Sequence, residues 1–187
     1  MNTPLTLDRH DGSSPLGDAA AAALVQRAWE VLETVPDPEI PVVSIRELGI
    51  LREINPRGDS LLEVVITPTY SGCPAMGQIE DDVRAALGAQ GIQAKVVSRL
   101  APAWTTDWIG EAAKEKLRAY GIAPPQATRQ AQVVRFAPRG ASTEAPIACP
   151  RCGSLDTTET SHFGSTSCKS LHKCLQCLEP FDYFKPY

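Results

Sequence analysis

Cys149-Pro150-Arg151-Cys152-Gly153 and Cys174-Leu175-Gln176-Cys177 stand 21 residues apart near the end of a 187-residue chain. Each pair puts two thiolates within reach of one ion, and the backbone N–H groups between them can point at the sulfurs. Gly153 lets the chain fold over the first pair without a Cβ in the way. Two such pairs supply the four ligands of a tetrahedral structural site. Cys149, Cys152, Cys174 and Cys177 are therefore the expected metal ligands, with zinc the default ion. The gap is slightly longer than the about 15–20 residues usual for a ribbon, which an extra turn in the hairpin accommodates. Four thiolates also suit iron or an iron–sulfur cluster. A tail of about 40 residues is too small to fold on an apolar core alone, and a metal supplies the missing stability.

The segment 147–187 reads as this zinc ribbon. It holds five of the six cysteines, two of the three histidines and five of the eleven aromatics, and its four basic and four acidic residues cancel. Cys168 is its surplus thiol. The paired cysteines already complete a site, which favours a packing role for Cys168, but exchange with the nearby Cys174 as a ligand stays open. His162 and His172 read more readily as surface or hydrogen-bonding residues than as ligands. Phe181, Tyr183 and Phe184 are either the ribbon's core or a docking surface, since aromatics dominate binding hot spots.

Upstream, residues 1–17 are poor in groups worth burying and read as a disordered leader. Leu24, Ala28, Val31, Leu32 and Val35 recur at helical spacing, so a helix is expected from a cap at Asp18 to about Val35, stopped by Pro36 and Pro38. Ile50–Ile54 and Leu61–Thr67 read as a hairpin around the turn cluster Asn55–Asp59. Pro74 suits the first position of a helix that carries Met76, Ile79, Val83, Ala86 and Leu87 and ends at Gly88 and Gly91. Ile92–Val97 is a third strand. Thr105 or Thr106 can cap a last helix running to Tyr120. The order α-β-β-α-β-α makes a small α+β domain over residues 18–125. Residues 126–146 read as a linker in which Val133, Val134 and Phe136 could add a short strand.

Two features of that domain carry chemistry. Cys73 precedes Pro74 at an expected helix start, where partial positive charge favours thiolate. Asp37 and Glu39 lie in the proline-framed loop Pro36-Asp37-Pro38-Glu39-Ile40-Pro41. Spacing alone does not say whether these carboxylates approach Cys73, and a capping thiol beside a solvated turn is the plainer reading.

Several function classes are disfavoured. The net charge is −4, all of it on residues 1–146, and no basic run offers an electrostatic footprint for nucleic acid. No apolar stretch approaches the roughly 20 residues that span a bilayer. The leader lacks the positive start and apolar core of an export signal, so a cytoplasmic protein with reduced thiols is expected. A Cys73 nucleophile would want a histidine base, and the histidines are His10, His162 and His172, all outside the domain.

Asp37-Pro38-Glu39-Ile40-Pro41-Val42, Glu47-Leu48-Gly49-Ile50 and the run from Thr67 to Cys73-Pro74 resemble the small domain shared by SufT-like and cytosolic iron–sulfur assembly factors. The ending is more specific. Cys149 to Ser154, Phe163-Gly164-Ser165-Thr166, Cys168-Lys169 and Cys174 to Phe181 are similar to the PaaD (PaaJ) family of the phenylacetyl-coenzyme A epoxidase system, as is Pro102-Ala103-Trp104-Thr105-Thr106-Asp107-Trp108-Ile109. The resemblance implies an accessory or maturation subunit of that multicomponent oxygenase in aerobic phenylacetate breakdown. It implies partners among the other epoxidase subunits and help with iron or iron–sulfur loading, with Cys73, Asp37 and Glu39 as the cargo site and no catalysis of its own. A structural zinc-binding subunit without metal transfer is the alternative.

Overall fold

The computed structural model describes residues 15–57, 60–126 and 146–187. Residues 1–14 of the expected leader and most of the expected linker, including Val133, Val134 and Phe136, lie outside the described residues, while 15–17 of the leader are helical.

Helix α1 (Pro15–Leu32) buries Ala28 and Leu32 and lays Leu24, Val25 and Val31 against the same core. It differs from the sequence expectation at both ends. Asp18 falls inside the helix rather than before it, and Pro15 is its first residue. Val35 has left the helix: its carbonyl accepts from Ile45 N–H at 3.0 Å as the chain doubles back.

Strands β1 (Leu51–Arg57) and β2 (Leu61–Ile66) form the antiparallel hairpin. The turn is tighter than expected, because Asn55, Pro56 and Arg57 still pair with Glu63, Leu62 and Leu61. A proline is tolerated there because β1 is an edge strand of the sheet β1-β2-β3. Strand β3 (Gln93–Ser98) runs parallel to β2 after the crossover through α2 (Met76–Ala89), which buries Ile79, Val83 and Leu87. Helix α2 starts two residues after Pro74, which remains in the preceding turn.

The last expected helix is broken in two. A single 3₁₀ turn, Thr106–Trp108, is capped by the Thr105 hydroxyl, and α3 (Glu111–Tyr120) begins three residues later. Ile109 causes the break, since it turns extended and plugs into the core at 2% exposure. Gly121, with φ of +99°, ends α3 in the left-handed conformation.

Beyond it comes a strand that sequence reading missed. β4 (Ile122–Ala123) pairs in parallel with β7 (Pro180–Phe184). With β5 (Thr157–Ser161) and β6 (Lys169–Cys174) they build the ribbon sheet, in the order β4-β7-β6-β5. The ribbon is thus stitched to the first domain rather than hung from it. The first domain's apolar cluster takes in Cys168 and Phe184, and a smaller cluster of Ala123, Cys149, Cys174, Phe181 and Tyr183 lies under the ribbon. Phe181, Tyr183 and Phe184 are therefore core. Trp104 ties the two parts together, donating its indole N–H to the Leu48 carbonyl at 2.9 Å while its ring meets Phe184 at 5.8 Å and Tyr187 at 6.2 Å. No helix among the described residues is long and apolar enough to cross a membrane.

Candidate functional site

The four expected ligands come together. The sulfurs of Cys149, Cys152, Cys174 and Cys177 all lie within 4.8 Å of one another. Cys149 and Cys177 are 3.7 Å apart, and Cys152 and Cys174 3.6 Å. A tetrahedron with metal–sulfur bonds of about 2.3 Å has edges of about 3.8 Å, so this set fits one zinc ion with little movement. Each pair is folded by its own backbone: Gly153 N–H donates to the Cys149 carbonyl at 2.9 Å, and Cys177 N–H lies 3.4 Å from the Cys174 sulfur. That N–H, joined by the one from Gln176, holds the Cys174 thiol down at about 6, while against a hydrogen bond from Glu179 N–H, burial and the neighbouring sulfurs push the Cys177 thiol up to about 12, so the four thiols titrate as one group. The knuckles turn on left-handed residues, Gly153 at φ +74° and Leu178 at φ +67°.

The other histidines and thiols of the tail are accounted for differently. His172 is buried, hydrogen-bonds the Ser170 hydroxyl at 2.9 Å and stacks on Phe181, while His162 is exposed beside Glu159. Cys168 stands outside the four-sulfur group, buried at 5% exposure with the Thr166 hydroxyl 3.0 Å from its sulfur.

The second constellation lies where the ribbon meets the first domain. Cys73 is half-buried in the turn before α2, its N–H bonded to the Tyr70 carbonyl at 3.2 Å. The expectation of a lowered thiol pKa is reversed. Burial pushes the Cys73 thiol up, and the charges of Glu39, Cys168 and Asp37 add to this against one hydrogen bond from Ala75 N–H. With the helix beginning only at Met76, its dipole is too far along the chain to win.

The same interactions bring Asp37 and Glu39 within electrostatic range of Cys73, which spacing left open. The two acids have different parts. Asp37 is 6% exposed, and its Oδ1 accepts from Glu39 N–H at 2.9 Å and Ile40 N–H at 2.8 Å, so it holds the loop. Burial raises its pKa all the same, against those two bonds and the charge of Lys169. Glu39 is partly exposed, and desolvation followed by the Asp37 charge raises its pKa against Lys169 and the Thr166 hydroxyl. A cleft of about 420 Å³ lined by Glu39, Tyr120, Ser165, Lys169 and Asp182 opens beside it. Lys169 is 4% exposed and pairs with Asp182 at 3.7 Å, supplying the local positive charge. No part in the site was assigned from sequence to Lys169 or Asp182. Their part depends on how the ribbon docks, and no local pattern encodes that.

A four-cysteine metal ribbon joined to a small α+β domain defines the class of protein. Residues 135–185 match the PaaD zinc beta ribbon domain, and residues 26–98 match the iron–sulfur cluster assembly protein family. A protein of Escherichia coli (strain K12), provisionally named as the D component of 1,2-phenylacetyl-CoA epoxidase, is 44% identical over 164 residues, 86% of this chain and 92% of its own. An Fe–S protein maturation auxiliary factor of Porphyromonas gingivalis is 34% identical over 46% of this chain and 84% of its own. A crystal structure of a domain of unknown function from Bacillus anthracis superposes with a TM-score of 0.50 at 27% identity, covering 54% of this chain and 96% of that one. The chain belongs to the PaaD family, that of the epoxidase's D component.

Proposed function

We propose that this chain is an accessory subunit of a multicomponent phenylacetyl-CoA epoxidase, works in the cytoplasm, and helps to load iron or an iron–sulfur cluster into its partner subunits. The observation that supports this reading is Cys73 within electrostatic range of Glu39 and Asp37 in a domain of iron–sulfur assembly type. The cargo is iron, bound and released. Glu39, open to a cleft, is the group of the pair free to meet an incoming ion, while Asp37 shapes the loop. The ribbon, with Cys149, Cys152, Cys174 and Cys177 on zinc, is structural and sets the position of its neighbour. Zinc supplies folding energy there and takes no part in transfer.

A second reading, a structural subunit without metal transfer, is favoured by one feature: Cys73 and Cys168 are held protonated by burial, as packing thiols are. Coexpression separates the two. The Cys73→Ala protein should keep its fold and zinc, while the partner oxygenase made beside it carries several-fold less iron and turns over correspondingly more slowly. Full iron and full turnover beside a folded Cys73→Ala protein would remove Cys73 from the mechanism and leave the structural reading.

A further inference from the structure

The two metal knuckles make the same turn with different residues. The first turns on Gly153 at φ +74°, the second on Leu178 at φ +67°. That conformation costs a glycine nothing but crowds a leucine's Cβ against the following carbonyl oxygen. The fold gains little packing in return, since Leu178 is 64% exposed. Strain kept where a glycine would relieve it points to a use for the side chain. Leu178 is not alone there: Leu155 is 57% exposed and Leu175 48%. The four sulfurs, all within 4.8 Å of one another, hold the two knuckles together, and Leu175 N–H donates to the Asp156 carbonyl at 2.8 Å. Three exposed leucines therefore share the metal-bearing end of the ribbon with the exposed Cys152.

We propose that this leucine-tipped end docks the chain onto another subunit of the epoxidase, in an apolar groove rimmed with lysine or arginine. Charge selects that partner. Four thiolates on a divalent ion leave two negative charges in excess. The charged side chains of residues 149–156 and 173–179 are Arg151, Asp156, Lys173 and Glu179, which cancel, so the zinc-filled tip is anionic. A basic rim complements that charge, while apolar walls take the leucines. A second copy of the chain fits badly, because a two-fold contact would set one anionic tip against the other. Leucines of these exposures also offer only roughly 300 Å² of apolar surface, against about 800 Å² a side in a stable interface. The tip is therefore a projecting anchor within a larger contact with a different protein.

This inference rests on the reading of the chain as an accessory subunit, and the test separates their failures. The zinc-loaded full-length chain is titrated calorimetrically into the purified oxygenase subunits. Leu178→Gly and Leu178→Asn both suit the left-handed turn and should keep zinc and melting temperature. Each should nevertheless bind at least ten-fold more weakly, as should Leu155→Ser, which lies outside the second knuckle. Leu100→Ser removes a comparably exposed leucine (59%) from the first domain and should bind as the parent does. Parent affinity should fall as salt is added. Binding by the parent with no loss in the Leu178 and Leu155 variants would overturn the docking surface and leave the accessory reading intact. An affinity indifferent to salt would strike out the basic rim. No binding by the parent would overturn both readings. Self-association of the chain, abolished in the leucine variants, would make the occupant a second copy and overturn the proposal. Should the Leu178 variants lose zinc, Leu155→Ser still decides.

Discussion

Asp37 shows how a carboxylate can be committed to its own loop. Its Oδ1 accepts two backbone N–H groups and closes the loop that carries Glu39. Removing an acceptor strands buried donors at a cost of about 1–3 kcal/mol each, so Asp37→Ala should destabilise clearly. Asp37→Asn keeps the acceptor and loses the buried charge, so at neutral pH it should be as stable as the parent or more so. The sign follows from the raised folded pKa: the carboxyl's contribution is most favourable below its unfolded pKa and is lost as pH rises through the folded one. The advantage of Asn should therefore shrink as pH is lowered. Chemical denaturation of the three proteins at several pH values checks this; an Asn variant as unstable as Ala would mean that the charge itself holds the loop. Nothing in Pro36 to Pro41 distinguishes an acid that caps a turn from one that binds a ligand. The distinction lies in which backbone N–H groups the folded loop aims at it.

At the level of elements, the cysteine pairs could be read directly because a metal knuckle is a local object: four residues, two sulfurs and a fixed backbone turn. The helix faces of α1 and α2 were equally readable from their spacing. What escaped was decided by distant partners. Val35 pairs with Ile45 instead of continuing α1, Ile109 breaks a helix to fill the core, and β4 exists because β7 lies beside it. The two knuckles offer a test of how backbone strain feeds into metal binding. Gly153 has open space around its missing Cβ, so Gly153→Ala should cost only the left-handed conformation, about 1–2 kcal/mol, or roughly ten-fold in zinc affinity. Leu178 holds the equivalent turn at φ +67° with 64% of its surface exposed. Leu178→Gly removes strain and loses little burial, so it should bind zinc as tightly as the parent or somewhat better. Competition against a chelating dye measures both, and a loss on Leu178→Gly equal to that on Gly153→Ala would show that Leu178's side chain, not its backbone, sets the second knuckle.

Across the whole molecule, the tail is expected to share its stability with the first domain. Phe184 is 1% exposed, belongs to the first domain's core and meets Trp104, whose indole is bonded to Leu48. Ile122 and Ala123 in turn complete the ribbon sheet, and the Arg151 guanidinium packs over Gly121, 3.1 Å from where a Cβ would stand. Each part buries residues of the other, so zinc binding and first-domain folding should be linked. Large-to-small changes at buried aromatic sites cost about 3–5 kcal/mol, partly by transfer and partly by the cavity left. Phe184→Ala should therefore destabilise the first domain by about that amount although it lies three residues from the chain's end. Denaturation of the zinc-loaded protein, followed at once by tryptophan fluorescence and by zinc release, should give one coincident transition, moved equally for both signals by the substitution. Two separate transitions, with only zinc release moved by Phe184→Ala, would mean that the domains fold independently.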